Sequence, residues 1–207
     1  MARKSGSSSH WRLHERRDPY VEKAVRQNLR SRAYFKLEQI QAKTRILKPG
    51  IVCADLGSSP GGWSQYAAGI VGSRGEIWAV DLTPMEPLPG VQFIQGDFTN
   101  PETIEVLKDA LPDAQLDLVM SDMAPNITGI RTVDQPRVMV LAEAALAFSE
   151  TTLRRGGAFV VKLFQGEGME DFVKLAERRF QTARLLKPQA SRPESREMYL
   201  LARNYRM

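Results

Sequence analysis

With 207 residues, 43% hydrophobic and 26% charged, and a net charge of +5, the chain has the make-up of one ordinary globular domain. Its single cysteine, Cys53, rules out an internal disulfide, and its two histidines, His10 and His14, both lie in the polar N-terminal stretch, so neither a metal site nor a histidine dyad is expected in the core. No apolar run approaches the length of a membrane span and the basic N-terminus has no apolar segment behind it, which makes a cytoplasmic protein the expectation.

The charge is unevenly spread. Residues 1–50 hold 13 Lys and Arg against 4 Asp and Glu, residues 51–177 hold 8 against 18, and residues 178–207 hold 8 against 2. Basic ends around an acidic middle are the footprint of a protein that meets phosphate backbones. The first 18 residues, "MARKSGSSSHWRLHERRD", read as a polar arm with Trp11 as its one large aromatic. We draw the basic arm through residue 30 and assign residues 31–207 to a single domain.

"SRAYFKLEQIQAKTRIL" opens with a serine able to cap a helix and places Ala33, Phe35 or Leu37, Ile40 and Ile46 or Leu47 at spacings that fit a moderately amphipathic helix. After "KPG" the pattern changes to short β-rich runs: "IVCADL", "EIWAVDL", "VQFIQGD", "LDLVMSD", "AFVVKLF" and "EMYLLAR". Helices are expected between them at residues 63–71, 101–110, 134–154 and 168–180. This alternation predicts an α/β fold, a mostly parallel sheet with helices on both faces.

Asp55, Asp81, Asp97 and Asp122 stand at or just past the ends of four successive strand runs. In an open α/β sheet those ends border the ligand crevice, so the four acids converge on one site. The first strand runs into "DLGSSPGGWSQY", where Gly57, Gly61 and Gly62 let a ligand approach the backbone closely. The order G-S-S-P-G-G departs from the G-x-G-x-x-G spacing of a dinucleotide loop, and no Gly-Lys-Ser/Thr follows to make a phosphate loop. S-adenosylmethionine, which carries no phosphate, fits better. Asp81, 20 residues beyond Gly61, is placed to accept from ribose hydroxyls and Asp97 in "QGDF" to meet the adenine amino group.

Taken together, "SRAYFKL", "DLGSSPGGWSQY", "QGDF", "MSDMAPNITG", "GGAFVVKLFQGEG" and "SREMYLLA" resemble the FtsJ (RrmJ/RlmE-type) family of S-adenosylmethionine-dependent 2′-O-ribose methyltransferases of large-subunit ribosomal RNA. The resemblance implies a Rossmann-like sheet of seven strands with the last antiparallel, and cofactor contacts at Gly61, Trp63, Asp81, Asp97 and Asp122, to which the loop reading adds Gly57. It maps the family's catalytic Lys-Asp-Lys-Glu set onto Lys36, Asp122, Lys162 and Glu197. It further implies a uridine in the A-loop of 23S ribosomal RNA as target; the assembled large subunit is the expected substrate, and a monomer without metal the expected form.

The methyl on a sulfonium is already activated, so the chain must align a ribose hydroxyl with it and dispose of one proton. Two roles are open to Lys162. It could accept the proton, for which a free lysine, at about 10.4, must be lowered substantially. Alternatively it could orient the hydroxyl lone pair while the proton leaves late. Even apart from any family, a lysine inside "FVVKLF" is costly unless paired. Arg12, Arg16, Arg17, Lys23, Arg26, Arg30 and Arg32 could form a phosphate track toward Lys36, with Arg192 and Arg196 beside Glu197, giving salt-sensitive RNA binding. Two other readings stand beside this one: a 2′-O-methyltransferase of transfer RNA or a cap, and an RNA-binding ribosome-assembly factor without turnover.

Overall fold

Every apolar run singled out above forms a strand. The computed structural model describes residues 18–111 and 115–206. Its strands are β1 (Val52–Leu56), β2 (Glu76–Asp81), β3 (Val91–Gln95), β4 (Leu116–Ser121), β5 (Leu153–Phe164), β6 (Phe180–Leu186) and β7 (Glu197–Tyr205). The helices are α1 (Pro19–Arg26), α2 (Ala33–Thr44), α3 (Gly62–Val71), α4 (Pro101–Ala110), α5 (Arg131–Thr152) and α6 (Met169–Arg179).

The seven strands form one sheet in the order β3-β2-β1-β4-β5-β7-β6. Pairing is parallel from β3 across to β5, whereas β7 runs antiparallel to both β5 and β6. From β1 the chain winds outward through β2 to β3, then returns to β4 on the other side of β1. That reversal leaves a crevice at the carboxyl ends of β1 and β4, where ligands bind in open α/β sheets.

Alternation along the strands divides the core in two. One face carries Cys53, Ile77, Leu118, Met120, Val160, Tyr199 and Leu201 against Leu37 and Ile40 of α2 and Trp63, Ala67 and Val71 of α3. The opposite face carries Leu56, Val80, Val119, Phe159 and Val161 against Leu107 of α4, Leu146 of α5 and Phe172 of α6. Asp55, Asp122 and Lys162 share the α2/α3 side by this same period of two. Among the described residues no helix is long and apolar enough to cross a membrane, and no group of His, Cys, Asp and Glu is arranged to hold a metal ion.

Three local details differ from the sequence expectation. Residues 18–30, assigned to the arm, fold onto the body: Asp18 caps α1 by accepting from the Tyr20 N–H at 3.0 Å, Pro19 occupies the first helical turn, and Ala24 is buried against Phe35 and Ala190. The signal was present as Asp-Pro ahead of "YVEKAVR". Helix α2 starts at Ala33 with no side-chain cap from Ser31 and stops at Thr44, because Arg45 turns left-handed and Gln41 holds both the N–H and the carbonyl of Leu47 at 2.8 Å. Strand β6 was missed because it is an edge strand: Phe180 is buried but Gln181, Thr182, Arg184 and Leu185 are exposed, so its apolar signal is faint.

Candidate active site

Register assembles the charged cluster. Ser121, the last residue of β4, pairs with Val161, so Asp122 emerges beside Lys162, and Lys162 pairs across with Tyr199, two residues beyond Glu197 on the same face of β7. Helix α2, packed over this face through Leu37 and Ile40, delivers Lys36.

The ammonium of Lys162, on a side chain only 7% exposed, lies 3.1 Å from Asp122 Oδ1 and also donates to the Asp122 carbonyl. Tyr199 Oη donates to the same Oδ1 at 2.7 Å. Lys36 Nζ lies 4.0 Å from Asp122 Oδ2 and 2.9 Å from Glu197 Oε2. Four charges therefore alternate in sign within contact distance, and none is left unpaired. The sequence-predicted set comes together in full.

Burial alone would raise the Asp122 carboxyl, but Lys162 and Lys36, with the Tyr199 hydroxyl, outweigh it and hold it below the usual carboxylate range. Burial first, and then the charges of Asp122 and Glu197, push the Tyr199 phenol well up, so it stays a neutral donor. Asp55, one strand over, goes the other way: burial raises it to about 7 against the opposing hydrogen bond from Ser64 Oγ at 2.6 Å, and its Oδ1 has no partner among the described residues. The sign follows from linkage. An acid raised on folding disfavours the folded state increasingly as pH climbs from its unfolded value toward 7, by a few kcal/mol at most. Asp55→Asn should accordingly be more stable than the natural chain at pH 8 in urea unfolding, with the difference shrinking toward pH 4; a gap of the same size at both pH values would contradict this.

Beside the cluster opens a cavity of about 690 Å³ lined by Gly57, Asp81, Asp97, Phe98, Asp122 and Met123 among others. Asp122 thus belongs to both. The glycine loop bends over β2 because the Gly57 and Ser58 N–H groups donate to the Val80 carbonyl at 2.9 and 3.1 Å. Gly57, at φ +78°, lies so near Met123 that a Cβ there would come within 2.4 Å of its Cγ. Asp81 is pinned at both oxygens, Oδ2 by the Ser59 N–H at 2.9 Å and Oδ1 by the Thr83 N–H at 2.8 Å, which leaves each oxygen a further lone pair. Asp97 Oδ1 accepts from the Thr99 hydroxyl at 2.6 Å and its N–H at 2.8 Å, and these bonds lower the carboxyl.

Two predicted cofactor residues sit elsewhere. Trp63 is a core side chain: it donates its indole N–H to the Ala33 carbonyl at 3.0 Å and packs 5.6 Å from the Tyr199 ring. Gly61, at φ +106°, heads α3 and is closed in by Met85 and Arg30. The sequence reading did not single out Asn126 and Arg137, which line the cavity from the loop after β4 and from α5. Asp134 shapes that loop, accepting from the Thr128 hydroxyl and N–H and from the Gly129 N–H.

The expected phosphate track is largely committed to the fold. Arg30 donates to the carbonyls of Pro60, Glu86 and Pro87 at 3.3, 2.5 and 2.7 Å, stapling the glycine loop to the loop after β2. Arg32 and Arg192 both meet Asp18, at 2.7 and 3.2 Å. Lys23 stacks 4.3 Å over Phe35, and Arg196 donates to the Gln165 carbonyl at 3.2 Å. Arg26 is exposed at the end of α1, while Arg12, Arg16 and Arg17 lie outside the described residues.

Comparison with known proteins agrees with the geometry. A family model for FtsJ-like methyltransferases matches residues 29–205. The chain is 50% identical over 198 residues to the ribosomal RNA large subunit methyltransferase E of Alkalilimnicola ehrlichii, across 96% of this chain and 95% of that protein. A crystal structure from Plasmodium falciparum, described as that of a ribosomal RNA methyltransferase, superposes with a TM-score of 0.76 at 28% identity, over 85% of this chain and 98% of that one.

Proposed function

The chain belongs to the FtsJ-like methyltransferase family, and from that premise we propose that it transfers a methyl group from S-adenosylmethionine to a ribose 2′-hydroxyl of large-subunit ribosomal RNA. The observation that carries this is Asp122, a wall of the cavity and at the same time the centre of the Lys36, Lys162 and Glu197 cluster. Donor pocket and proton-handling groups thereby share one residue.

The cavity residues fit the donor. A volume of about 690 Å³ suits a nucleoside-sized ligand. Asp81, held by backbone N–H groups on both sides, presents two oriented lone pairs to a ribose diol, and Asp97 sits by the next strand with Phe98 and Met123 as apolar walls. When bound, the sulfonium supplies an electrophilic methyl group.

The remaining work falls to the chain. Lys162 spends two of its three N–H groups on Asp122, leaving one for the acceptor oxygen. Held so, the oxygen keeps a second lone pair for attack while its proton departs late to water. To act as a base instead, Lys162 would have to give up that third N–H and face the oxygen with a lone pair, breaking up its charge pair with the ionised Asp122, so the orienting role is the better supported. Lys36 and Glu197 fix Asp122 and Lys162 from the other side. Phosphates are assigned to Arg26 and the basic residues before residue 18, because Arg30, Arg32, Arg192 and Arg196 are engaged within the protein and Lys23 lies over Phe35.

The test is transfer of labelled methyl to isolated large ribosomal subunits lacking the modification, in parallel with free ribosomal RNA and transfer RNA. An alkali-resistant dinucleotide recovered from the subunits is the expected result, and mapping it identifies the nucleotide, for which a uridine of the A-loop is the proposal. Transfer only to transfer RNA, or none with cofactor binding intact, would overturn the reading.

A further inference from the structure

Glu197 sits at the start of β7, directly after the loop formed by residues 187–196, and a carboxylate so placed keeps its geometry only if the loop does. Ser191, 4% exposed, donates its hydroxyl to Glu197 Oε1 at 2.8 Å, while Lys36 takes the other oxygen, Oε2, at 2.9 Å. The two donors fix the carboxylate plane from opposite edges. Ser191 is in turn fixed to the helix that carries Lys36. Its N–H donates to the Pro188 carbonyl at 3.0 Å; the N–H of its neighbour Ala190 donates to Gln39 Oε1 at 3.0 Å; and the Ala190 carbonyl accepts from Arg32. Gln39 lies in α2, three residues from Lys36, and Arg32 directly precedes that helix while its guanidinium meets Asp18.

We propose that Ser191 is a positioning residue of the methyl-transfer site: by holding Glu197 Oε1 it aims Oε2 at Lys36, and through Lys36 it sets the Asp122–Lys162 pair. The loop thus acts as a template that locks α2 and β7 into one register around the cluster. A side chain supported in this way from a second layer is the usual means by which an ionic site holds sub-ångström geometry. Ser191 lines no part of the cavity, so donor binding is outside its reach.

The kinetic arm rests on the methyl-transfer reading. In Ser191→Ala, turnover at saturating RNA should fall about 10- to 100-fold, the scale on which removing an orienting partner acts, with the KM for S-adenosylmethionine within about 2-fold and Ser191→Thr recovering most of the loss. The second arm needs neither RNA nor cofactor. The nitrogen-15 resonance of the Lys36 ammonium, assigned by its disappearance in Lys36→Gln, should be protected from solvent exchange in the natural chain and in Ser191→Thr, and lose that protection in Ser191→Ala. Absence of transfer by the natural chain on every RNA would sink the methyl-transfer reading and leave the ammonium signal to decide the positioning role. Unchanged ammonium protection in Ser191→Ala would overturn the proposal, as would equal losses of turnover and melting temperature in the alanine and threonine variants.

Discussion

Lys162→Ala is expected to lose methyl transfer by at least about 10²–10³-fold, the effect of deleting one preorganised donor at a reacting centre, while still binding S-adenosylmethionine with nearly unchanged affinity. Lys162 contacts Asp122 but is not among the cavity walls, so donor binding and turnover part company in this variant. Removing one member of a buried ion pair also costs stability, roughly 3–5 kcal/mol. Lys162→Met keeps the aliphatic stem packed and should show the same catalytic loss with a smaller fall in melting temperature. The pH profile separates the two roles of the lysine. As an orienting group it leaves turnover flat through neutrality, with activity falling only on the acid side, as Asp122, held low by its lysines, finally takes up a proton. A rate that climbs tenfold per pH unit across neutrality would assign Lys162 as the base, and wild-type turnover in the alanine variant would remove it from the mechanism.

Asp81→Ala should have the opposite signature. Each hydrogen bond to a charged carboxylate contributes about 1.5–3 kcal/mol, so losing both of the proposed ribose contacts should raise the dissociation constant for S-adenosylmethionine about 100-fold or more, with turnover largely restored at saturating donor. Asp81 also accepts from Ser59 and Thr83, so part of the loss reflects loosening of the glycine loop. Asp81→Asn keeps one acceptor oxygen and should fall between. A calorimetric dissociation constant that does not move in Asp81→Ala would end the ribose assignment.

Every strand but β6, and the glycine loop, were legible because their signals are local. Runs such as "EIWAVDL" and the turn at Gly57 follow from side-chain shape and backbone freedom within a few residues. The four charged residues were identified by family resemblance, and for Lys36 and Glu197 nothing in the flanking sequence distinguishes a site residue from a surface charge. The arginines meet the same limit. A phosphate-binding arginine and one that staples three carbonyls, as Arg30 does, look alike in sequence, since the difference lies in what folds up against the guanidinium. Trp63 shows the converse, a residue of the cofactor motif whose ring goes into the core.

By itself, the sequence determined the α/β class, the position of the ligand loop, the acids at successive strand ends and the family, since period-two alternation and glycine placement act over short distances. Only the tertiary structure decided which charges meet. The β4-β5-β7 register and the seat of α2 bring residues 36, 122, 162 and 197 within contact distance, and the same packing withdraws Arg30, Arg32 and Arg192 into the fold. Ion pairing falls off within a few ångströms, so it is set by where the backbone elements dock, and the residue types alone do not contain that distance.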